Sequence, residues 1–188
     1  IVLLSGRGEK EAQACEKIVQ ASGLEWTIVR ASWFNQNFSE GAFLELVLNG
    51  RITLPAGDVR EPFVDVDDIA DVAVAALTTT SPRHLGQVYE VTGPELLTFA
   101  EVAQKISEAT GQPLDYEQIP HDAFIAAARE SGAPDAVIWI LGYLFSTVLD
   151  GRNSQLTDGV QRALGRPPKS FASYAQETAA LTCWKEAS

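Results

Sequence analysis

IVLLSGRGEKEAQACEKIVQASGLEWTIVRASWF, residues 1–34, is the stretch that decides the architecture. Ile1 to Leu4 is a continuous apolar run closed by Ser5-Gly6-Arg7-Gly8, the pattern of a strand buried on both faces of a sheet. Glu9 to Ala21 then reads as a helix. Ala12, Cys15, Ile18, Val19 and Ser22 recur at three- and four-residue steps, with Glu11, Gln13, Glu16, Lys17 and Gln20 on the opposite face. Gly23 supplies a left-handed stop. Trp26-Thr27-Ile28-Val29, flanked by Leu24 and Arg30, is β-branched and aromatic and predicts a second strand. Strand, helix and strand with short joints make a βαβ unit, expected to be parallel with a right-handed crossover. That unit puts Ser5-Gly6 and Ala31-Ser32 side by side on the carboxyl edge of one sheet, where open α/β sheets bind ligands.

The remainder extends this unit. Ser39 caps a short helix through Phe43, Leu44, Val47 and Leu48, and Arg51 to Leu54 is a brief strand, together an excursion from the main sheet. Phe63-Val64-Asp65-Val66-Asp67-Asp68 opens an apolar helix, Ile69 to Leu77, and Gln87 to Val91 is the next strand. Thr98 and Glu101 have capping-box spacing at the start of a helix, Phe99 to Thr110, that Gly111 ends. Leu114 to Ile119 is a short strand, and helices are expected near 121–131, 134–149, 157–164 and 170–182. The fold class expected is α/β: an incomplete Rossmann-like parallel sheet from residues 1–38 and 62–93, with a small, mostly helical α/β carboxyl-terminal lobe from 39–61 and 94–188.

At 188 residues the chain can bury one sizeable core, or a core and a satellite lobe. Its 46% hydrophobic and 21% charged residues are the balance of a soluble globular protein. Fourteen Lys and Arg against 25 Asp and Glu give a net charge of −11, which disfavours direct binding to nucleic acid or to anionic membranes. Apolar runs such as Ala136 to Leu141 are far shorter than the roughly 20 residues that span a bilayer. Cys15 and Cys183 lie far apart, outside any metal spacing and without a secretory prefix, so reduced thiols and a cytoplasmic location are expected. There is no methionine, and the chain opens directly on Ile1, which reads as truncation upstream.

Glu16-Lys17, then Ser22-Gly23-Leu24-Glu25-Trp26-Thr27-Ile28-Val29-Arg30, resembles the signature of NmrA-like atypical short-chain dehydrogenases. Ala31 to Phe38 resembles that family's loop after its sixth strand, and Phe63 to Ala70 its next helix start. The ordered set covers roughly residues 1 to 95. The resemblance implies a nicotinamide cofactor, NADP or NAD with NADPH favoured, and hydride transfer to a small carbonyl or quinone-like substrate. It also implies an upstream GxxGxxG loop cradling the pyrophosphate, which is absent here, since Gly6-Arg7-Gly8 lacks the third glycine.

On that resemblance, Ser5 and Gly6 flank the nicotinamide, with the backbone of Ala31, Ser32 and Trp33 as its wall. Ser5 is a hydrogen-bond donor and the one weak catalytic candidate, though a turn-forming serine explains it too. Phe34, Asn35, Asn37 and Phe38 would face substrate; core packing accounts for the aromatic residues equally, and an exposed loop for the amides. The YxxxK acid/base pair of short-chain dehydrogenases is missing: Tyr89, Tyr116, Tyr143 and Tyr174 are followed at the fourth place by Gly93, Pro120, Thr147 and Thr178. A non-catalytic NAD(P) sensor that signals to a partner protein therefore stands beside the reductase, as does an inactive fragment, and a homodimer is compatible with any of them.

Asp65, Asp67 and Asp68 stand where a helix begins and read as capping groups before metal ligands. His84 and His121 read as isolated surface histidines, so no metal site is expected. Arg30 closes a strand beside the cleft, where an anion or a neighbouring acid would meet it. Leu149 to Asn153 is a polar turn expected on the small lobe's side of the pocket.

Overall fold

The computed structural model describes residues 1–181, 183 and 184. Strand β1 (Val2–Gly6), helix α1 (Lys10–Gln20) and strand β2 (Thr27–Ala31) form the expected unit, joined by β4 (Gln87–Val91) in a three-stranded sheet of order β1-β2-β4. All pairings are parallel, with Ser5 opposite Arg30 and Arg30 opposite Glu90. Alternation of side chains then sorts the two faces. Val29, Ala31, Tyr89 and Val91 meet Ile69 and Val72 of α3 (Val66–Thr78) and Val160 and Ala163 of α7 (Gly159–Leu164) in one apolar cluster. The other face carries the polar row Ser5, Arg30 and Glu90, closed from above by Glu16 of α1.

That row corrects the reading of α1. Its one fully buried residue is Glu16, whereas Ile18 is 72% exposed and Cys15 is exposed too. The helix is held to the sheet by charge-assisted hydrogen bonds rather than by its apolar stripe. His84 is likewise not a surface residue: it is buried, with Nδ1 2.9 Å from the Tyr89 hydroxyl and Nε2 accepting from Arg83 Nε at 2.8 Å.

The second layer of structure is built on β3 (Arg51–Leu54) and β5 (Asp115–Gln118), a parallel two-stranded sheet, with α2 (Leu44–Leu48) leading into β3. Helix α4 (Phe99–Thr110) begins with the capping box the spacing predicts: the Thr98 side chain accepts from Glu101 N–H, and the Glu101 carboxylate accepts from Thr98 N–H. Phe38, Phe43, Phe63, Phe99, Phe145 and Phe171 interlock with ring centroids 5.2 to 6.2 Å apart and form the centre of this core. Helices α5 (His121–Glu130), α6 (Asp135–Tyr143) and α8 (Phe171–Ala180) surround it. The single helix expected over 134–149 is instead α6 followed by a π-helical turn, Leu144–Val148. Helix α7, in the stretch expected for the small lobe, packs on the main sheet.

Candidate functional site

The carboxyl ends of β1 and β2 open into a cavity of about 570 Å³. Register explains its floor: Gly6 is paired with Ala31, and Arg7 N–H donates to Ala31 C=O at 3.0 Å, so the two following loops leave the sheet together. Ser5, Gly6 and Arg7 line it from one strand and Ala31, Ser32, Trp33 and Phe34 from the other. Ala12 and Cys15 of α1, Leu141 of α6, and Leu144 and Val148 of the π-helical turn close the apolar sides. Asn37 and Asn153 add amides to the wall, Asn153 from the turn expected there. The Tyr143 hydroxyl donates to Glu11 Oε2 at 2.7 Å and so ties α6 to α1, the two helices that wall the cavity.

Of the residues singled out in the sequence, the fold brings Ser5, Gly6, Ala31, Ser32, Trp33, Phe34 and Asn37 into this one wall. Asn35 and Phe38 lie outside it. Phe38 is fully buried in the aromatic core, and Asn35 is buried with its backbone N–H donating to Val64 C=O at 2.8 Å. Trp33 lines the cavity and also packs into the core, its ring 5.3 Å from that of Phe145 and 6.1 Å from that of Phe43. Gln36 bridges to the next element, donating to Asp65 Oδ1 and accepting from Val66 N–H at the start of α3. Asp65 caps that helix by accepting from Asp67 N–H, and Asp68 takes Arg166 and the Lys169 backbone amide.

The electrostatics of the floor come from residues that periodicity does not reveal. Ser5 Oγ donates to Glu16 Oε1 at 2.6 Å, so its proton is already engaged. Burial alone would raise the Glu16 carboxyl, but the Arg30 guanidinium and the Ser5 hydroxyl outweigh it and hold it below the usual range. Arg30 spans Glu16 and Glu90 and stays charged: it meets acids of its own sheet and helix. Arg7, also buried, donates through Nη1 to Asn153 C=O at 2.7 Å and pairs through Nε with Glu90, leaving Nη2 without a partner among the described residues. Behind Ser32 stands Glu61, wholly buried, its Oε2 3.4 Å from Ser32 Oγ and its Oε1 without a hydrogen-bond partner among the described residues. Burial first, with Asp150 adding to it and Arg7 and Ser32 opposing, pushes the Glu61 carboxyl up to about 7. Among the described residues no three His, Cys, Asp or Glu gather as metal ligands would, and no helix is long and apolar enough to cross a membrane.

At Gly6 the floor is bare backbone, against which the flexible Glu9 side chain rests with Oε1 1.7 Å from where a Cβ would stand. Hydroxyls, backbone and aromatic edges on a rigid sheet can orient a planar ligand, and the apolar sides exclude water from it.

A family model described as the NmrA-like family matches residues 11–148. The NAD(P)H azoreductase of Xenophilus azovorans is 35% identical over 173 residues, covering 92% of this chain and 58% of that protein. An uncharacterized oxidoreductase of Bacillus subtilis is 32% identical over 165 residues, covering 86% of this chain and 57% of its own length. The chain thus spans somewhat over half the length of these curated relatives. Among solved structures, an NADPH-dependent quinone oxidoreductase from Escherichia coli complexed with NADPH matches with a TM-score of 0.80 at 21% identity, over 94% of this chain and 64% of that one. A negative transcriptional regulator, NmrA, in complex with NAD matches with a TM-score of 0.64 at 19% identity, over 96% and 64%. These two likenesses establish a shared fold.

Proposed function

The chain belongs to the NmrA-like family, and we propose that the complete protein is an NAD(P)H-dependent oxidoreductase acting on a small carbonyl or quinone-like substrate. The observation that carries this reading is the convergence of Ser5-Gly6 and Ala31 to Phe34 on one apolar cavity at the carboxyl edge of parallel strands. The azoreductase and quinone oxidoreductase among the matched proteins support it.

In this reading Ser5, Gly6 and the backbone of Ala31, Ser32 and Trp33 hold the nicotinamide, with NADPH favoured over NADH. Phe34 and Asn37 face the substrate, Phe38 braces them from the core, and Asn35 fixes the loop through its backbone. The bound reduced nicotinamide supplies the hydride. This chain's own contribution is to orient the acceptor against Trp33 and Phe34, to keep water out with Leu141, Leu144 and Val148, and to provide a hydroxyl at Ser32. The three-glycine pyrophosphate loop of the family has no counterpart in the sequence, so these residues act as the nicotinamide and substrate side of a larger site. The two free thiols, Cys15 and Cys183, suit a reducing, cytoplasmic setting.

The test is to add upstream coding sequence to the chain and titrate it with NADPH and NADH, following nicotinamide fluorescence. Binding is expected, and its absence with both cofactors overturns the proposal. The 188-residue chain alone is expected to bind negligibly. A quinone panel then decides the chemistry: loss of nicotinamide absorbance supports the reductase. Tight binding with no loss across the panel moves the assignment to the redox sensor, which the missing tyrosine and lysine pair supports equally.

A further inference from the structure

A carbonyl or quinone that takes up hydride still needs a proton, and the pair that usually gives it is absent from this sequence. The cavity offers few replacements. Ser5 has its hydrogen engaged by Glu16, whose charge is in turn engaged by Arg30. Ser32 is different: it lines the cavity, its backbone is pinned by N–H donation to Val91 C=O at 3.1 Å, and among the described residues the hydrogen-bond partner of its hydroxyl is Glu61, at a long 3.4 Å.

Glu61 is built in. Its backbone N–H donates to Leu97 C=O at 2.9 Å and its C=O accepts from Leu97 N–H at 3.0 Å, an isolated antiparallel bridge that fixes where the side chain starts. The side chain is fully buried, yet one carboxyl oxygen meets only a serine and the other meets nothing among the described residues. A buried carboxyl so poorly supplied with donors favours its neutral, protonated form. Arg7 is the cation facing it and Asp150 the anion; the neighbouring Arg60 is turned away to Glu101 and Leu96 C=O. The 3.4 Å separation from Ser32 is long for a hydroxyl and a carboxyl, as such contacts are before substrate tightens a site.

We propose that Glu61 is the proton store of the site, a positioning residue that passes its proton to Ser32 as the Ser32 hydroxyl gives its own to the reduced acceptor. The proposal rests on the reductase reading and adds the missing acid to it. The step balances. The acceptor gains hydride and then the Ser32 proton; the Ser32 oxygen regains a proton from Glu61; Glu61 is left as a carboxylate facing the Arg7 guanidinium. After the product leaves, one proton from bulk solvent, carried by water in the cavity, returns to Glu61 through Ser32, so each turnover consumes one solvent proton.

The experiment uses the complete protein and four variants, Glu61→Gln, Ser32→Ala, the two combined, and Glu9→Gln, each checked for a native circular dichroism spectrum. Infrared difference spectroscopy across neutral pH, with no cofactor or substrate present, should find one protonated carboxyl that ionises near pH 7 in the parent protein and is missing in Glu61→Gln. In turnover with a quinone, kcat of the parent should fall as pH rises through that region. Glu61→Gln should lower kcat by on the order of 100-fold with little change in KM and should lose the alkaline limb. Ser32→Ala should lose the same limb, and adding Glu61→Gln to it should cost nothing more. Glu9→Gln, which alters a carboxyl that lines the cavity itself, should keep the limb. The relay is overturned if Glu61→Gln keeps the limb, if Glu9→Gln removes it, or if no carboxyl ionises between about pH 6 and 8 in the infrared. Failure of the parent protein to bind nicotinamide would strike the reductase reading itself, and the binding arm separates that result from a failed pH arm.

Discussion

At the scale of the residue, Glu61 makes a prediction about stability as well as chemistry. Its carboxyl is pushed up to about 7 in the folded chain from an ordinary 4.5, because burial withholds water from the charged form. The folded state therefore binds this proton more tightly than the unfolded state, and stability must fall as pH rises from 4.5 through about 7. The loss is on the order of 3 kcal/mol once the group is ionised. Glu61→Gln carries no such penalty. It should match the parent in urea denaturation at about pH 4 and exceed it by up to about 3 kcal/mol above neutrality; parallel curves would show that Glu61 titrates normally. Glu16 behaves oppositely. Its charge is satisfied by Arg30 and Ser5, so Glu16→Ala strands both donors and should cost about 3 kcal/mol at neutral pH, measured by the same denaturation. Neither role is visible along the sequence: Glu61 is a lone acid between Arg60 and Pro62, and Glu16 falls on what periodicity presents as the solvent face of a helix.

Elements were legible where local chemistry specifies them. The apolar run before Ser5-Gly6, the β-branched run before Arg30, and the Thr98 and Glu101 pair each carry their instruction within a few residues, and each has its expected structure. What long-range contact decides was not legible. Arg30 lies 14 residues from Glu16 and meets it only once the strands pair, so the polar attachment of α1 could not be read from its own sequence. The π-helical turn after Tyr143 likewise interrupts a run that looks helical throughout, at the place where Leu144 and Val148 turn toward the cavity. Helix α7 shows how closely elements approach. A Cβ on Gly159 would stand 2.0 Å from the Glu90 carbonyl oxygen, in the backbone of β4, which is locked in the ladder with β2. The same oxygen accepts from Thr157 Oγ1 at 2.6 Å. Backbone cannot step aside as a flexible side chain can, so Gly159→Ala should push α7 off the sheet and destabilise the chain by about 3 kcal/mol. An unchanged melting temperature would mean that the helix start is free to shift.

For the whole molecule, the decisive asymmetry is between the two edges of the main sheet. Beside β4 the edge is covered by α7 and Thr157, whereas β1 is an end strand whose outer N–H and C=O groups have no strand beside them among the described residues. Around it Ile1, Leu4 and Ile18 are 57%, 54% and 72% exposed. An uncovered parallel edge flanked by apolar side chains pairs with whatever strand it meets, and a net charge of −11 opposes this only weakly at physiological salt, where fields fade over about 8 Å. The 188-residue chain should therefore self-associate in sedimentation velocity at high protein concentration, more strongly as salt is raised. Ile18→Lys, which puts a like charge on each copy beside that edge, should restore the monomer without loss of helix content, because the exposed Ile18 supports no core. If upstream sequence covers β1 with a further strand, the extended chain proposed above to bind nicotinamide should no longer associate. Binding gained while association persists would place the added residues elsewhere than on this edge.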